Sequence, residues 1–523
     1  MSFFLYKYKY LIILGLICLG FLALESFHAK QYGFSEEDEL KSIMTSVGFN
    51  PENIDFITKK STFYQEDFLG SNNLKSTIHN SILHESGNCI LYNITLHLWF
   101  KIFDFSLYSG RMFSVLFGIG VIIVSFFLSD SLFDNKKISI LSSLLIACNQ
   151  NIFAYSISLR TYSMAIFFSL LATLLFVKWL RSLELAADKK TVTKTSISYS
   201  IIAGLSLLTH YFCIYILMIH FLFLIPLFFK NSTKNKVAIF LPYVIISGIL
   251  ATWMLAGGYE GSKGMASGND WHLKYAKSAN KLSTMTQITS LENTIDYLKT
   301  TALEWTYNGR YWHYFSFNIK MRYIIFLFAI PTFFLVTSLY YLWKKKRNVL
   351  YLLCSLAIVG PVFCIYLAFN SGHTVSFSSR YIVICIPYFA IILAYGIYQI
   401  QTKSGIWKIA SIVLFALFSL NILVQSKLSF DETAEQLQPH LLQMNLAVQE
   451  KLDRTKNISS KTIEFPYPWL AVKFNFNFIP TQMKIPQKIN TQIEPNKIYL
   501  YDAVSKKRTV LYEFPKDFNA TPN

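Results

Sequence analysis

The sequence predicts an α-helical polytopic membrane protein with about eleven transmembrane helices and a small β-containing domain at its C-terminus. Three observations carry this. The 523 residues are 53% hydrophobic, 17% aromatic and only 15% charged, a composition too apolar for a soluble enzyme. Apolar runs near the roughly 20 residues that cross a bilayer recur along the chain. The net charge of +18 comes from short basic clusters between those runs, where the positive-inside rule places them, so no nucleic-acid partner is needed. Of the seven cysteines, all but Cys89 lie in apolar runs. Neither a disulfide framework nor a metal-binding Cys-x-x-Cys spacing can be drawn.

In chain order, residues 10–25 follow Lys7 and Lys9 and resemble a signal-peptide core. They are read as an uncleaved first span, because cleavage would release the acidic stretch that follows from its tether. Residues 28–110 then lie outside. They close with Leu91–Phe100, too short and interrupted to span and read as a helix in the membrane interface. Further spans are expected at 112–133, 138–157, 161–180, 196–210, 213–229, 236–256, 321–343, 349–369, 380–399 and 407–426. Alternating sides puts Lys136 and Lys137, the Lys178 to Lys194 segment, Lys230, Lys234 and Lys236, the Lys344 to Arg347 cluster, and Lys403 and Lys408 in the cytoplasm. The protein is thereby expected in the plasma (inner) membrane, as a membrane module over 1–426 and an extracytoplasmic domain over 427–523. The 257–320 loop is also outside. It is aromatic around Trp305, Tyr311, Trp312 and His313, as a cover over a site or a segment packed on the membrane would be. In the C-terminal domain Val472–Phe478 alternates strictly, and Lys497–Val504 with Arg508–Phe514 predicts a hairpin across Ser505-Lys506-Lys507.

The topology isolates a few residues. The stretch Gly33-Phe34-Ser35-Glu36-Glu37-Asp38-Glu39-Leu40 sets four carboxylates in a row at the outer mouth of the first span. A charge run is most often a solvated loop. Among the short outer turns, however, only Arg160 and Arg380 hold a permanent positive charge against the rule. Snorkelling explains either alone; two guanidiniums on the side of a carboxylate run argue for an anionic ligand. His210-Tyr211, between spans five and six, and His373 lie on the same side, although a lone histidine at a helix end is more often structural. No His-Glu-x-x-His or Cys/His cluster points to a metal. Apart from His220 and Asp130 the spans carry almost no ionisable residue, which counts against a proton-coupled transporter.

Several short segments resemble, in order, the GT-C class of integral-membrane glycosyltransferases, which includes the protein O-mannosyltransferases and bacterial lipopolysaccharide-modifying transferases. They are Asp38-Glu39-Leu40-Lys41-Ser42, His84-Glu85-Ser86-Gly87-Asn88 with Leu91-Tyr92-Asn93 and Leu96-His97-Leu98-Trp99, and Ser109-Gly110-Arg111 through Gly118. Tyr155-Ser156 through Arg160-Thr161-Tyr162-Ser163, Thr209-His210-Tyr211-Phe212 and Arg380-Tyr381 through Pro387 complete the set, which covers residues 1 to about 400. The chain departs from the pattern in lacking prolines at 86 and 87 and in having Ser158 where many relatives place a glutamate. The final 97 residues match nothing in the class.

The resemblance implies a GT-C fold and a polyprenyl-phosphate-linked sugar donor, with transfer to an acceptor hydroxyl on a lipid, glycan or protein and inversion at the anomeric carbon. Residue by residue it assigns Asp38 as base, with Glu39 and Glu85 as orienting or second acidic groups. Arg160 and Arg380 fit the donor phosphate, helped by His210, Tyr211 and His373. A carboxylate near such guanidiniums stays ionised, as a base must. Membrane lipids are partners and no cofactor is named; assistance by a divalent metal stays open. An O-antigen ligase or polymerase, with key residues such as Arg310 and His313 in a late loop, and a lipid-linked saccharide flippase or exporter are the alternatives.

Overall fold

The computed structural model describes residues 2–31, 37–49, 73–103, 105–185, 188–230, 233–278, 286–305, 321–403, 461–466, 487–492 and 494–513, with Thr62 and isolated positions among 405–451. A helix occupies every predicted span from the first to 380–399, the last of these from Ile386 on; much of 407–426 lies outside the described residues, as do 472–478 and 306–320. Among the described residues seven helices are long and apolar enough to cross a membrane, or eight if one bent pair is a single span. The chain is thus a multi-pass membrane protein. The bent pair is the expected span 138–157, which is two helices, Lys136–Ala147 and Gln150–Ile157, meeting at 60°. Asn149 is the cause: its Oδ1 accepts from the backbone N–H groups of Asn151 and Ile152 at 3.1 and 3.2 Å, capping a new helix where the old one would have run on.

The chain packs as two units. The first comprises Met1–Glu25, Ser114–Ser156 and Thr161–Phe430. At its centre α1 (Ile386–Gln401) is buried on every side, as a helix hydrophobic all round must be. It packs against Lys136–Ala147, Met321–Lys345 and Arg347–Ser371. Gly396 sets one of these contacts. A Cβ there would come within 2.0 Å of the Phe334 carbonyl oxygen, so the two helices touch backbone to backbone, as small residues allow in membranes. Gly396→Ala is expected to destabilise the protein by about 3 kcal/mol through overpacking, read as a lower melting temperature in detergent; an unchanged melt would refute the contact. His220, the ionisable residue expected inside a span, is structural. Its Nε2 meets Thr173 Oγ1 at 3.1 Å, its Nδ1 meets Tyr199 OH at 3.2 Å, and its ring stacks on Phe176 at 4.4 Å. Asp130 pairs with Lys136.

The second unit comprises Ser26–Phe113, Ile157–Arg160 and Asp431–Asn523. Its α2 (Glu37–Ser46) packs on α3 (Leu74–His84) and α4 (Ile90–Ile102). The α4 helix lies where the interfacial helix was expected. A helix end leaves carbonyls without partners, and here side chains satisfy them. Thr77 Oγ1 donates to Ser46 O at 3.0 Å, His97 Nδ1 lies 2.8 Å from the same oxygen, and Asn80 Nδ2 donates to Phe49 O at 2.8 Å. These buried bonds fix the direction in which α2 points.

Near the C-terminus four strands, β1 (Lys461–Phe465), β2 (Gln487–Ile489), β3 (Lys497–Asp502) and β4 (Lys507–Glu513), form a sheet of order β2-β1-β3-β4. The β1–β2 pair is parallel and the rest antiparallel. The β3–β4 pair is the predicted hairpin. Glu464 is buried in the sheet between Arg508 Nε at 2.6 Å and Lys488 Nζ at 2.9 Å. Burial opposes its ionisation, but these two cations outweigh that and hold its carboxyl below the usual range.

Candidate functional site

The second unit holds the carboxylates. Because α2 starts at Glu37, Asp38 and Glu39 fall in its first turn about 100° apart, and they face different surroundings. Glu39 is fully buried. Its Oε2 accepts from Arg111 Nη2 at 3.0 Å and its Oε1 from the Leu159 N–H at 2.7 Å. Both ends of this pair are enclosed, so Glu39 works as a clamp that holds the 157–160 turn to α2. Asp38 remains 27% exposed, with Arg160 Nη2 at 3.8 Å and Lys41 Nζ at 3.6 Å. It is the acidic side chain of the pair that a substrate can reach. Glu36 lies outside the described residues.

Arg160 is gathered into the same cluster. Its Nη1 donates to Asp38 O at 3.0 Å, to Ser42 Oγ at 2.9 Å and to Glu85 Oε1 at 3.1 Å. Glu85 is presented at the C-cap of α3 by a turn in which Ser86, Gly87 and Cys89 all have φ between +54° and +68°. Positive φ in two non-glycine residues stores backbone strain, a feature concentrated at functional sites. Asp38, Ser42, Glu85 and Arg160 therefore converge, with Glu39 and Arg111 behind them. Arg111 received no role from the sequence; only its place in a motif marked it.

The first unit holds the other candidates. The helix Lys189–Thr209 ends at His210, whose Nδ1 accepts from the Phe212 N–H at 3.1 Å and so shapes the turn. Tyr211 OH accepts from Trp253 Nε1 at 3.0 Å. Arg380 sits in a 3₁₀ turn, Ser379–Tyr381, with its guanidinium 5.0 Å from the Tyr381 ring centroid. That turn is pinned by Tyr215 OH donating to Tyr381 O at 2.9 Å and by Tyr155 OH and Ser379 Oγ at 3.2 Å. His210 and Tyr381 rings lie 6.3 Å apart, which links the His210 and Arg380 turns. His373 is 3% exposed, and burial lowers its pKa below the usual histidine value. A further residue belongs here: His272, on a helix spanning Tyr259–Ser278, whose ring lies 5.5 Å from that of His373. No periodicity or motif marked it, since the 257–320 segment was legible only as an aromatic cover. Among the described residues no group of three or more His, Cys, Asp or Glu is arranged to hold a metal ion.

No protein-family profile and no curated protein matches the sequence. Solved structures do. ArnT from Cupriavidus metallidurans in the apo state is similar with a TM-score of 0.53 and 10% identity, over 90% of this chain and 85% of that one. The Archaeoglobus fulgidus oligosaccharyltransferase in the apo form is similar with a TM-score of 0.47 and 11% identity, over 91% of this chain and 65% of that one. The chain has the GT-C fold that its motifs resemble.

Proposed function

We propose that this chain of GT-C fold is a membrane glycosyltransferase, moving a sugar from a polyprenyl-phosphate donor to an acceptor hydroxyl at the extracytoplasmic face of the cell membrane. The observation that carries this is the division of labour in the first turn of α2. Glu39 is locked into structure, while Asp38 keeps a reachable carboxylate beside Arg160. A hydroxyl is a poor nucleophile at neutral pH, and a carboxylate that accepts its proton contributes about 10²–10⁴ in rate. In the reaction the acceptor oxygen bonds to the anomeric carbon as the bond from that carbon to the phosphate oxygen breaks. The electron pair leaves with the phosphate, the hydroxyl proton passes to Asp38, and one displacement inverts the centre. Arg160, expected from the sequence at the donor phosphate, is reassigned in this reading: Glu85 and Ser42 position it, and its guanidinium balances the carboxylate charge. Arg380, with His210, Tyr211 and His373, is assigned to the phosphate, where charge grows in the transition state and fixed donors act most strongly.

Purified protein incubated with labelled polyprenyl-phosphate hexose is expected to release polyprenyl phosphate in step with acceptor labelling. Movement of intact donor across vesicles without that release would replace this reading by a flippase. Within the assay, Arg380→Lys keeps the charge and loses the planar fork. Donor use is expected to fall about tenfold or more, the size of a lost charge-assisted hydrogen bond. Unchanged donor kinetics in a normally expressed variant would return Arg380 to a snorkelling role.

A further inference from the structure

The environment of His373 is built with unusual care for a lone histidine in a loop. Gly372 before it has φ +78°, and a Cβ there would approach Leu273 Cδ1 to 3.2 Å, so the helix Tyr259–Ser278 sits directly on this backbone. On the other side the 286–290 segment pairs with it: Thr289 N donates to Gly372 O at 3.1 Å, Thr374 N to Gln287 O at 3.0 Å, and Gln287 N to Thr374 Oγ1 at 2.9 Å. The two imidazoles thus held lie 5.5 Å apart, tilted by 53°. Both ring nitrogens of His373 and Nδ1 of His272 are buried without a hydrogen-bond partner among the described residues. Buried polar nitrogens are normally satisfied, so a ligand is the natural partner for these. Two imidazoles alone would suit a metal as well as an anion, but Arg380, seven residues beyond His373 in the same run of 3₁₀ turns, adds a fixed positive charge that disfavours a cation.

We propose that His272 and His373, beside Arg380, form a site selective for a phosphate monoester over a phosphodiester, gripping the departing lipid phosphate more tightly than the intact donor. This rests on the donor chemistry proposed above. The donor phosphate is a diester with one negative charge. When its bond to the sugar breaks, the electron pair stays on the phosphate oxygen and leaves a monoester that carries about −1.5 to −2 at pH 7. Arg380 alone matches the diester; two imidazoles able to take up protons match the extra charge. A neutral His373 in the free protein is consistent with its burial, which lowers its pKa. Binding the monoester then draws protons onto the pair, so affinity falls as pH rises above the ordinary histidine range near 6.5. Among the described residues Arg380 is the fixed charge in the same run of turns, Asp270 and Lys274 stand at exposed positions of the His272 helix, and the 286–290 segment and the last turn of the Arg347–Ser371 helix contain no titratable side chain.

The test uses the full-length protein in detergent, with binding of a short-chain polyprenyl phosphate and of its methyl ester measured by calorimetry between about pH 6.5 and 8.5. The wild type is expected to prefer the monoester by about tenfold or more, with affinity weakening as pH rises. His272→Gln is expected to cut that preference by about tenfold, the scale of one hydrogen bond to a charged group. His272→Lys, which supplies a fixed charge, is expected to retain the preference and flatten the pH dependence. Lys274→Gln, on an exposed part of the same helix, is expected to leave the preference unchanged. Equal binding of monoester and methyl ester by the wild type, or full preference in a folded His272→Gln, would overturn the proposal, and inorganic phosphate binding as tightly as the lipid monoester would overturn a lipid-linked ligand. Failure of sugar transfer with the monoester preference intact would count against the glycosyltransferase reading alone.

Discussion

Asp38→Asn is expected to lower turnover by about 10²–10⁴-fold, the usual contribution of a positioned general base, while donor binding survives. The substitution keeps the shape of the side chain and its place in the first turn of α2, so the loss falls on proton transfer. Asp38 is the acid of the pair left exposed, because Glu39 is consumed by Arg111 and the Leu159 N–H. Glu36→Gln serves as the control and is expected to do little. The measurement is single-turnover transfer beside equilibrium donor binding. Near-normal turnover in Asp38→Asn with abolished transfer in Glu36→Gln would move the base to the start of the acidic stretch and require a new register for it.

Arg111→Met is expected to destabilise the protein by about 3–5 kcal/mol, the scale for removing one partner from a buried ion pair and leaving the other charge enclosed. Both side chains are almost wholly buried, at 2% and 0% exposed, so solvent cannot compensate Glu39. Activity is expected to fall with it, since Glu39 also holds the Leu159 N–H and thereby the turn that carries Arg160. Adding Glu39→Gln to Arg111→Met removes the stranded charge, and the double variant is expected to recover part of the lost stability without recovering the geometry of Arg160. A double-mutant cycle in thermal or chemical unfolding measures this coupling. Simple additivity of the two single changes would show that the pair does not act as a clamp.

The behaviour of these two neighbouring acids shows what could be read from the chain and what could not. Span positions were legible because the length of an apolar run and the lysines flanking it are local quantities, set by bilayer thickness and by the cost of moving cations across it. The helices at 112–133, 161–180 and 349–369 lie where those quantities put them, and the 497–513 hairpin follows from strand alternation around a polar turn. The Asp38-Glu39 pair and Arg160 were likewise marked by being charges in places where charge is costly.

Which of the acids is structural and which reachable was decided only by tertiary contacts. Glu39 and Arg111 are 72 residues apart, and Asp38 and Arg160 are 122 apart. No periodicity spans such separations, and a helix that starts one residue earlier or later would exchange the faces of Asp38 and Glu39. The break at Asn149 shows the same limit from the other side. An apolar run of span length folds as two helices at 60° because one side-chain oxygen competes with the backbone for its N–H groups. His272 is the plainest case: in sequence it is a lone histidine in a polar segment, and only the fold brings its ring to that of His373. Local composition thus set the spans and the inventory of charges, while long-range packing selected the few side chains whose charges meet.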